Sequence, residues 1–147
     1  MIKITNLDKY FFKGKSNQIH VINNANIELP SKGLVTLLGQ SGSGKTTLLN
    51  VIGGLDKAKG QIQYDDLVIN NYQVRAIDKY RKDNIGYIFQ NYNLIHEETV
   101  YNNLSLALDM IGVTDIEEKN KRIEYTLKAV GMFKYRKKQA FALSGGQ

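Results

Sequence analysis

The stretch Gly39-Gln-Ser-Gly-Ser-Gly-Lys-Thr-Thr47 decides the fold of this chain. Glycine, any four residues, glycine, lysine and threonine form the pattern of a loop that wraps phosphate groups. Glycine lets the backbone turn its N–H groups inward around an anion, and a helix that starts there adds its own unpaired N–H groups. An accidental match is expected in under about 1% of chains of this length. We therefore predict phosphate binding by Gly39, Gln40, Ser41, Gly42, Ser43, Gly44, Lys45, Thr46 and Thr47.

The residues on either side of this loop predict a strand before it and a helix after it. Residues 34–38 are almost wholly apolar, which is typical of a buried strand. Residues 45–52 form the helix, which the glycine pair at 53–54 ends. Within the loop, Lys45 is expected to reach the terminal phosphates, and the Thr46 hydroxyl to bind Mg²⁺.

Strand patterns dominate up to about residue 90, and helical patterns dominate after it. Further strands are predicted at residues 2–4, 21–29, 61–64, 67–69 and 85–89. A turn at Asp65-Asp66 joins the strands at 61–64 and 67–69. Apolar residues at helical spacing predict two helices beyond residue 100, with Thr114 and Glu117 as a capping box for the second and Gly131 as its end. We expect an α/β protein with a β-rich part at 1–90 and a helical part at 91–147.

Composition limits the class of protein further. The chain has 147 residues, of which 42% are apolar and 23% charged, as in ordinary globular domains. It has no apolar run of the roughly 20 residues that cross a bilayer. The absence of cysteine and of a leader pattern predicts the cytosol. The net charge of +6, with a basic cluster at residues 134–138, indicates a solvated surface because no nucleic-acid-binding module accompanies it. His20 and His96 have no partners spaced for a metal or a catalytic pair, and we expect both at the surface.

A second motif, Leu143-Ser-Gly-Gly-Gln147, ends the sequence. With the phosphate loop and the stretch Gly86-Tyr-Ile-Phe-Gln90, it makes the whole chain resemble the nucleotide-binding subunit of an ATP-binding-cassette (ABC) transporter. The most similar subfamily is the macrolide-export and lipoprotein-release type. The resemblance implies a P-loop NTPase core with an N-terminal antiparallel β subdomain and an α-helical subdomain. It also implies ATP and Mg²⁺ as cofactors.

The resemblance also implies roles for residues outside the phosphate loop. Gln90 matches the glutamine that binds Mg²⁺ or the attacking water, and an amide suits both contacts. Tyr10 falls where the family carries an aromatic that stacks on adenine, although packing in the core or in a turn would equally explain this ring. The residues implied to contact the γ-phosphate of ATP held by a second subunit are Ser144, Gly145, Gly146 and Gln147. The family therefore works as a head-to-tail pair.

The function implied is that of an ATP-binding subunit, which couples ATP hydrolysis to a transmembrane permease at the cytoplasmic face of the membrane. The alternative is a soluble ABC ATPase acting on ribosomes or DNA, but the helical region has no long coiled-coil insertion. An unrelated P-loop kinase would not explain residues 143–147. The family's Mg²⁺-binding Asp, catalytic Glu and switch His follow that motif and are absent here. We therefore expect a fragment that is incomplete at its C-terminus, binds ATP poorly and hydrolyses none.

Overall fold

The computed structural model describes residues 1–70 and 74–147 of the chain. These residues form two units, Met1–Tyr87 and Ile88–Gln147, each with its own buried side chains. The first unit contains a β-sheet and two helices, and the second is helical.

The sheet of the first unit is antiparallel throughout, with strand order β2-β1-β3-β4. Its strands are β1 (Ile2–Phe11), β2 (Ile19–Leu29), β3 (Lys59–Tyr64) and β4 (Leu67–Asn70). Alternating apolar residues bury one face, as in a half-covered antiparallel sheet, and the most buried include Ile4, Leu7 and Ile62. Tyr64 pairs with Leu67 across a turn at residues 65–66, which confirms the predicted hairpin.

Two helices pack with this sheet. Helix α1 spans Lys45–Ile52, the range predicted from the sequence, and α2 spans Val74–Asn84. Val51 of α1 and Tyr80 of α2 are fully buried in the same core. The Tyr80 hydroxyl also donates a hydrogen bond to the Ile52 carbonyl at 2.9 Å, so the second helix is fixed to the end of the first.

The prediction of strands at residues 34–38 and 85–89 is wrong, since both segments lie outside the sheet. Leu34 is 93% exposed and Leu38 is 84% exposed, although an apolar run in a parallel sheet is buried on both faces. A strand forms only against neighbouring strands, and the sheet in the described part of the chain contains β1 to β4 alone. The second segment is still anchored to α1, because the Tyr87 hydroxyl donates to Asn50 Oδ1 at 2.6 Å.

The second unit contains helices α3 (Val100–Met110) and α4 (Ile116–Ala129), followed by short 3₁₀ turns at Phe133–Tyr135 and Ala140–Ala142. Ile123 and Leu127 of α4 supply its buried apolar face. Lys119 of α4 is also buried, and its ammonium donates to Asp109 Oδ1 of α3 at 2.5 Å. This ion pair joins the two helices. Among the described helices, none is both long and apolar enough to cross a membrane.

The ends of α4 confirm one sequence prediction and correct another. Gly131 has φ of +69° just after the helix, and the Met132 N–H donates to the Leu127 carbonyl at 2.7 Å, as in a glycine-terminated helix. The N-cap, however, is Asp115, whose side chain accepts from the Glu118 N–H at 2.8 Å. The predicted capping box at Thr114 is therefore wrong by one residue.

Candidate nucleotide-binding site

The backbone of the phosphate loop adopts conformations that glycine favours. Gly42 and Gly44 have φ of +79° and +88°, in the left-handed region where a side chain is strained. Gly44 is the N-cap of α1 and places no side chain over the first turn of the helix. The first N–H groups of α1 are thus left for a ligand, and the positive end of the helix dipole favours an anion.

Two of the loop glycines also lie close to neighbouring side chains. A Cβ on Gly44 would lie 2.8 Å from Val21 Cγ1, and a Cβ on Gly39 would lie 2.6 Å from Ser43 Oγ. At Gly44 the branched side chain of Val21 would have to shift, whereas at Gly39 the Ser43 hydroxyl could rotate away. The loop therefore lies against β2 at one point and folds onto itself at another, which forms a cradle of backbone groups.

Lys45 supplies the positive charge of this cradle. Its ammonium donates to the carbonyls of Gly39 and Gln40, both at 2.7 Å, and lies 3.4 Å from Ser43 Oγ. The lysine is thus held over the loop by weak neutral acceptors, which phosphate oxygens readily replace because hydrogen bonds between charged groups are stronger. The donors, charge and space of the loop all fit a polyphosphate.

The loop forms one side of a cleft of about 640 Å³ in the first unit. Strands β1 and β2 form the other side, with an apolar surface. The lining residues are Phe11, Ile19, Val21, Ser41, Gly42, Ser43, Gly44, Lys45, Thr46 and Thr47. An apolar wall facing a few convergent polar groups is the usual construction of a small-molecule site.

The aromatic ring in this cleft is Phe11, which is 37% exposed, and not the predicted Tyr10. Tyr10 instead stacks on His20, with ring centroids 3.9 Å apart and planes at 11°. It lines a separate hollow of about 220 Å³ with Lys13 and Lys59 among its neighbours. Successive side chains of a strand alternate between its faces, so Tyr10 and the next residue, Phe11, lie on opposite sides of β1.

His20 is exposed, as predicted, and it also contacts a carboxylate. Its Nε2 lies 2.7 Å from Asp8 Oδ1, and the backbone N–H of Asn24 donates to the same oxygen at 3.2 Å. The Asn24 hydrogen bond and then the His20 contact hold the pKa of Asp8 below its ordinary value. The Asp8–His20 pair links β1 to β2 beside the ring of Tyr10.

The remaining predicted site residues lie in the second unit. Gln90 is an exposed residue in a turn. Ser144 and Gln147 close a tight turn, in which the Gln147 N–H donates to the Ser144 carbonyl at 2.9 Å and Gln147 Oε1 accepts from the Ser144 N–H at 3.2 Å. A Cβ on Gly145 would lie 3.1 Å from the Tyr92 hydroxyl, whereas Gly146 has open space around it. The turn borders a hollow of about 290 Å³.

A loop of this glycine pattern, which ends in Lys45 and Thr46 and opens a helix, is typical of P-loop nucleotide-binding proteins. The chain belongs to the ABC transporter family, whose sequence profile matches residues 22–147. This confirms the family expected from the motifs.

Individual relatives agree with that assignment. The macrolide export ATP-binding/permease protein MacB of Mannheimia succiniciproducens is 36% identical over all of this chain, which covers 23% of that protein. The ABC transporter ATP-binding protein MJ0796 of Methanocaldococcus jannaschii is 35% identical, and the chain covers 64% of its length. A solved dimer of the MJ0796 cassette, in a post-hydrolysis state bound to ADP and Pi, superposes with a TM-score of 0.89 at 34% identity, over all of this chain and 65% of that one. The predicted fold class is therefore confirmed.

Proposed function

We propose that this chain is the ATP-binding part of an ABC transporter and that it holds Mg²⁺-ATP in the cleft of its first unit. The observation that carries the proposal is the loop of residues 39–47, with its left-handed glycines, the open N-terminus of α1 and the Lys45 ammonium. Membership of the ABC transporter family and an apolar wall suited to a base support the same function.

In this proposal Lys45 exchanges its two carbonyl acceptors for the oxygens of the terminal phosphates. The backbone N–H groups of the loop and of the first turn of α1 bind the remaining phosphate oxygens. The Thr46 hydroxyl is the ligand that the first unit offers to Mg²⁺, which when bound neutralises part of the charge on the phosphates. The role of Gln90 as a further ligand of Mg²⁺ or of the attacking water remains a prediction.

We assign base stacking to Phe11 in place of Tyr10. Phe11 lies in the cleft that contains the phosphate loop, and its ring is partly exposed there. A ring of this kind offers a base a flat apolar surface, and such stacking contributes about 1–3 kcal/mol per base in nucleic-acid complexes. Tyr10 has no such access, since its ring is stacked on His20.

For the whole protein we propose ATP hydrolysis and a head-to-tail dimer in which Ser144, Gly145, Gly146 and Gln147 contact ATP held by a second copy. The compact turn at Ser144 and the open space at Gly146 are suited to close approach by a phosphate. The MJ0796 cassette was solved as a dimer, and the MacB relative is an ATP-binding/permease protein. A transmembrane permease is the partner we propose, with the chain at the inner face of the membrane.

Nucleotide binding to the purified protein tests the proposal. Lys45→Met should weaken ATP binding by about 10- to 100-fold, since a hydrogen bond to a charged group contributes about 1.5–3 kcal/mol. Lys32→Met removes the same charge from an exposed residue outside the cleft and should bind ATP as the wild-type protein does. Phe11→Leu should weaken ATP binding more than Tyr10→Leu. Equal ATP affinity in the Lys45 variant and the wild type would contradict the proposal.

A further inference from the structure

Lys9 is a buried cation that the proposed function does not use. The residue is only 8% exposed, whereas Lys3 on the same strand is exposed. Its ammonium donates to Asp56 Oδ1 at 2.5 Å and to the Lys57 carbonyl at 2.8 Å. A buried ammonium is costly unless it is paired and hydrogen-bonded, and these two acceptors meet that need while fixing its position.

The fixed ammonium lies over the ring that faces the cleft. Lys9 Nζ is 4.9 Å from the centroid of Phe11, within the range of about 6 Å at which a cation is attracted to a ring face. One face of Phe11 is therefore covered by a charge that two hydrogen bonds hold in place, while the ring remains partly exposed to the cleft. This contact restricts the plane of the ring.

The carboxylate partner connects the ring to the helix that carries the phosphate loop. Asp56 follows α1 closely, and its backbone N–H donates to the Asn50 carbonyl of that helix at 3.2 Å. Asp56 Oδ1 also accepts from the Lys57 N–H at 2.7 Å, which fixes the carboxylate. The ion pair thus bridges β1, where the ring is, to the helix whose first turn would bind phosphate.

We propose that the Lys9–Asp56 pair positions Phe11 so that the base and the phosphates of one nucleotide are bound together. Lys9 is a positioning residue in this inference, because it contacts the ring and not the nucleotide. The inference rests on the proposed function, and it adds that the affinity contributed by the base depends on a partly buried ion pair outside the cleft. Loss of the pair should therefore affect ligands with a base and spare ligands without one.

The test compares binding of ATP and of inorganic tripolyphosphate to the purified protein and its variants. Lys9→Met, which keeps the length of the side chain and removes the charge, should weaken ATP binding about 5-fold and leave tripolyphosphate binding unchanged. Lys9→Arg keeps a cation beside the ring and should lose less ATP affinity than Lys9→Met. Lys59→Met removes a nearby exposed charge that is not over Phe11 and serves as the matched control.

Unchanged tripolyphosphate binding also shows that the Lys9→Met variant is folded. An equal loss for both ligands would overturn the inference, because it would reduce Lys9 to a general structural role. An unchanged ATP affinity would overturn it as well. Failure of the wild-type protein to bind either ligand would instead remove the proposed function, so the two failures are distinguishable.

Discussion

Replacing Gly44 with alanine should destabilise the protein through one contact that can be identified. Gly44 begins α1 with φ of +88°, and a Cβ there would lie 2.8 Å from Val21 Cγ1 and 3.4 Å from the Val21 carbonyl oxygen. The left-handed conformation costs an alanine about 1–2 kcal/mol. Overpacking against Val21 adds about 1–3 kcal/mol. We therefore expect Gly44→Ala to lower the free energy of unfolding by about 2–5 kcal/mol.

Gly42 provides the matched control for this change. It lies in the same loop with φ of +79°, but a Cβ there would meet no atom within 4 Å. Gly42→Ala should therefore cost only the conformational part, about 1–2 kcal/mol. The difference between the two variants isolates the contact between the loop and β2.

Urea unfolding of the single variants, of Val21→Ala and of the Gly44→Ala/Val21→Ala double variant measures that contact. In the double variant Val21 Cγ1 is gone, so the methyl group of the alanine at position 44 meets only the Val21 carbonyl oxygen, at an ordinary contact distance. The double variant should therefore be more stable than the sum of the single effects predicts, by about 1–3 kcal/mol. Gly44→Ala and Gly42→Ala of equal stability, or fully additive effects at Gly44 and Val21, would refute the reasoning.

The other predictions concern the two units separately. Tyr80→Phe should lower the stability of the first unit by about 1 kcal/mol, because the hydrogen bond to the Ile52 carbonyl is lost. Burial, and then repulsion by Tyr64, raise the pKa of Tyr80 from 10.0 to about 12. The contribution of Tyr80 to the free energy of unfolding should therefore be complete below pH 10 and be lost between pH 10 and 12. Denaturation at several pH values should show this contribution in the wild-type protein and not in Tyr80→Phe. In the second unit, Asp115→Ala should cost about 1 kcal/mol through the lost N-cap, whereas Thr114→Ala should cost little; a larger effect at Thr114 would contradict the observed cap.

Much of the first unit could be predicted from local pattern. Helix α1 begins and ends at glycines. The turn before it requires a left-handed conformation, which Gly44 adopts without strain, and Gly53 caps its C-terminal end. The hairpin of β3 and β4 was equally readable, since two polar residues separate two apolar runs. The phosphate loop could also be predicted from the sequence, because its chemistry depends on a contiguous run of residues and not on distant contacts.

The tertiary structure decided which side chain meets which neighbour. The ring in the cleft is Phe11 because β1 has one extra residue relative to β2 between Ile4 and Leu7, and this irregularity changes the face on which the later side chains of β1 lie. Burial of residues 34–38 required partner strands that the sequence of the segment could not specify. By itself, therefore, the sequence determined the phosphate loop and the family, since both depend on residue types at fixed spacing. Only the packing of β1 against its neighbours decided that Phe11 lies in the cleft and that Lys9 is buried behind it.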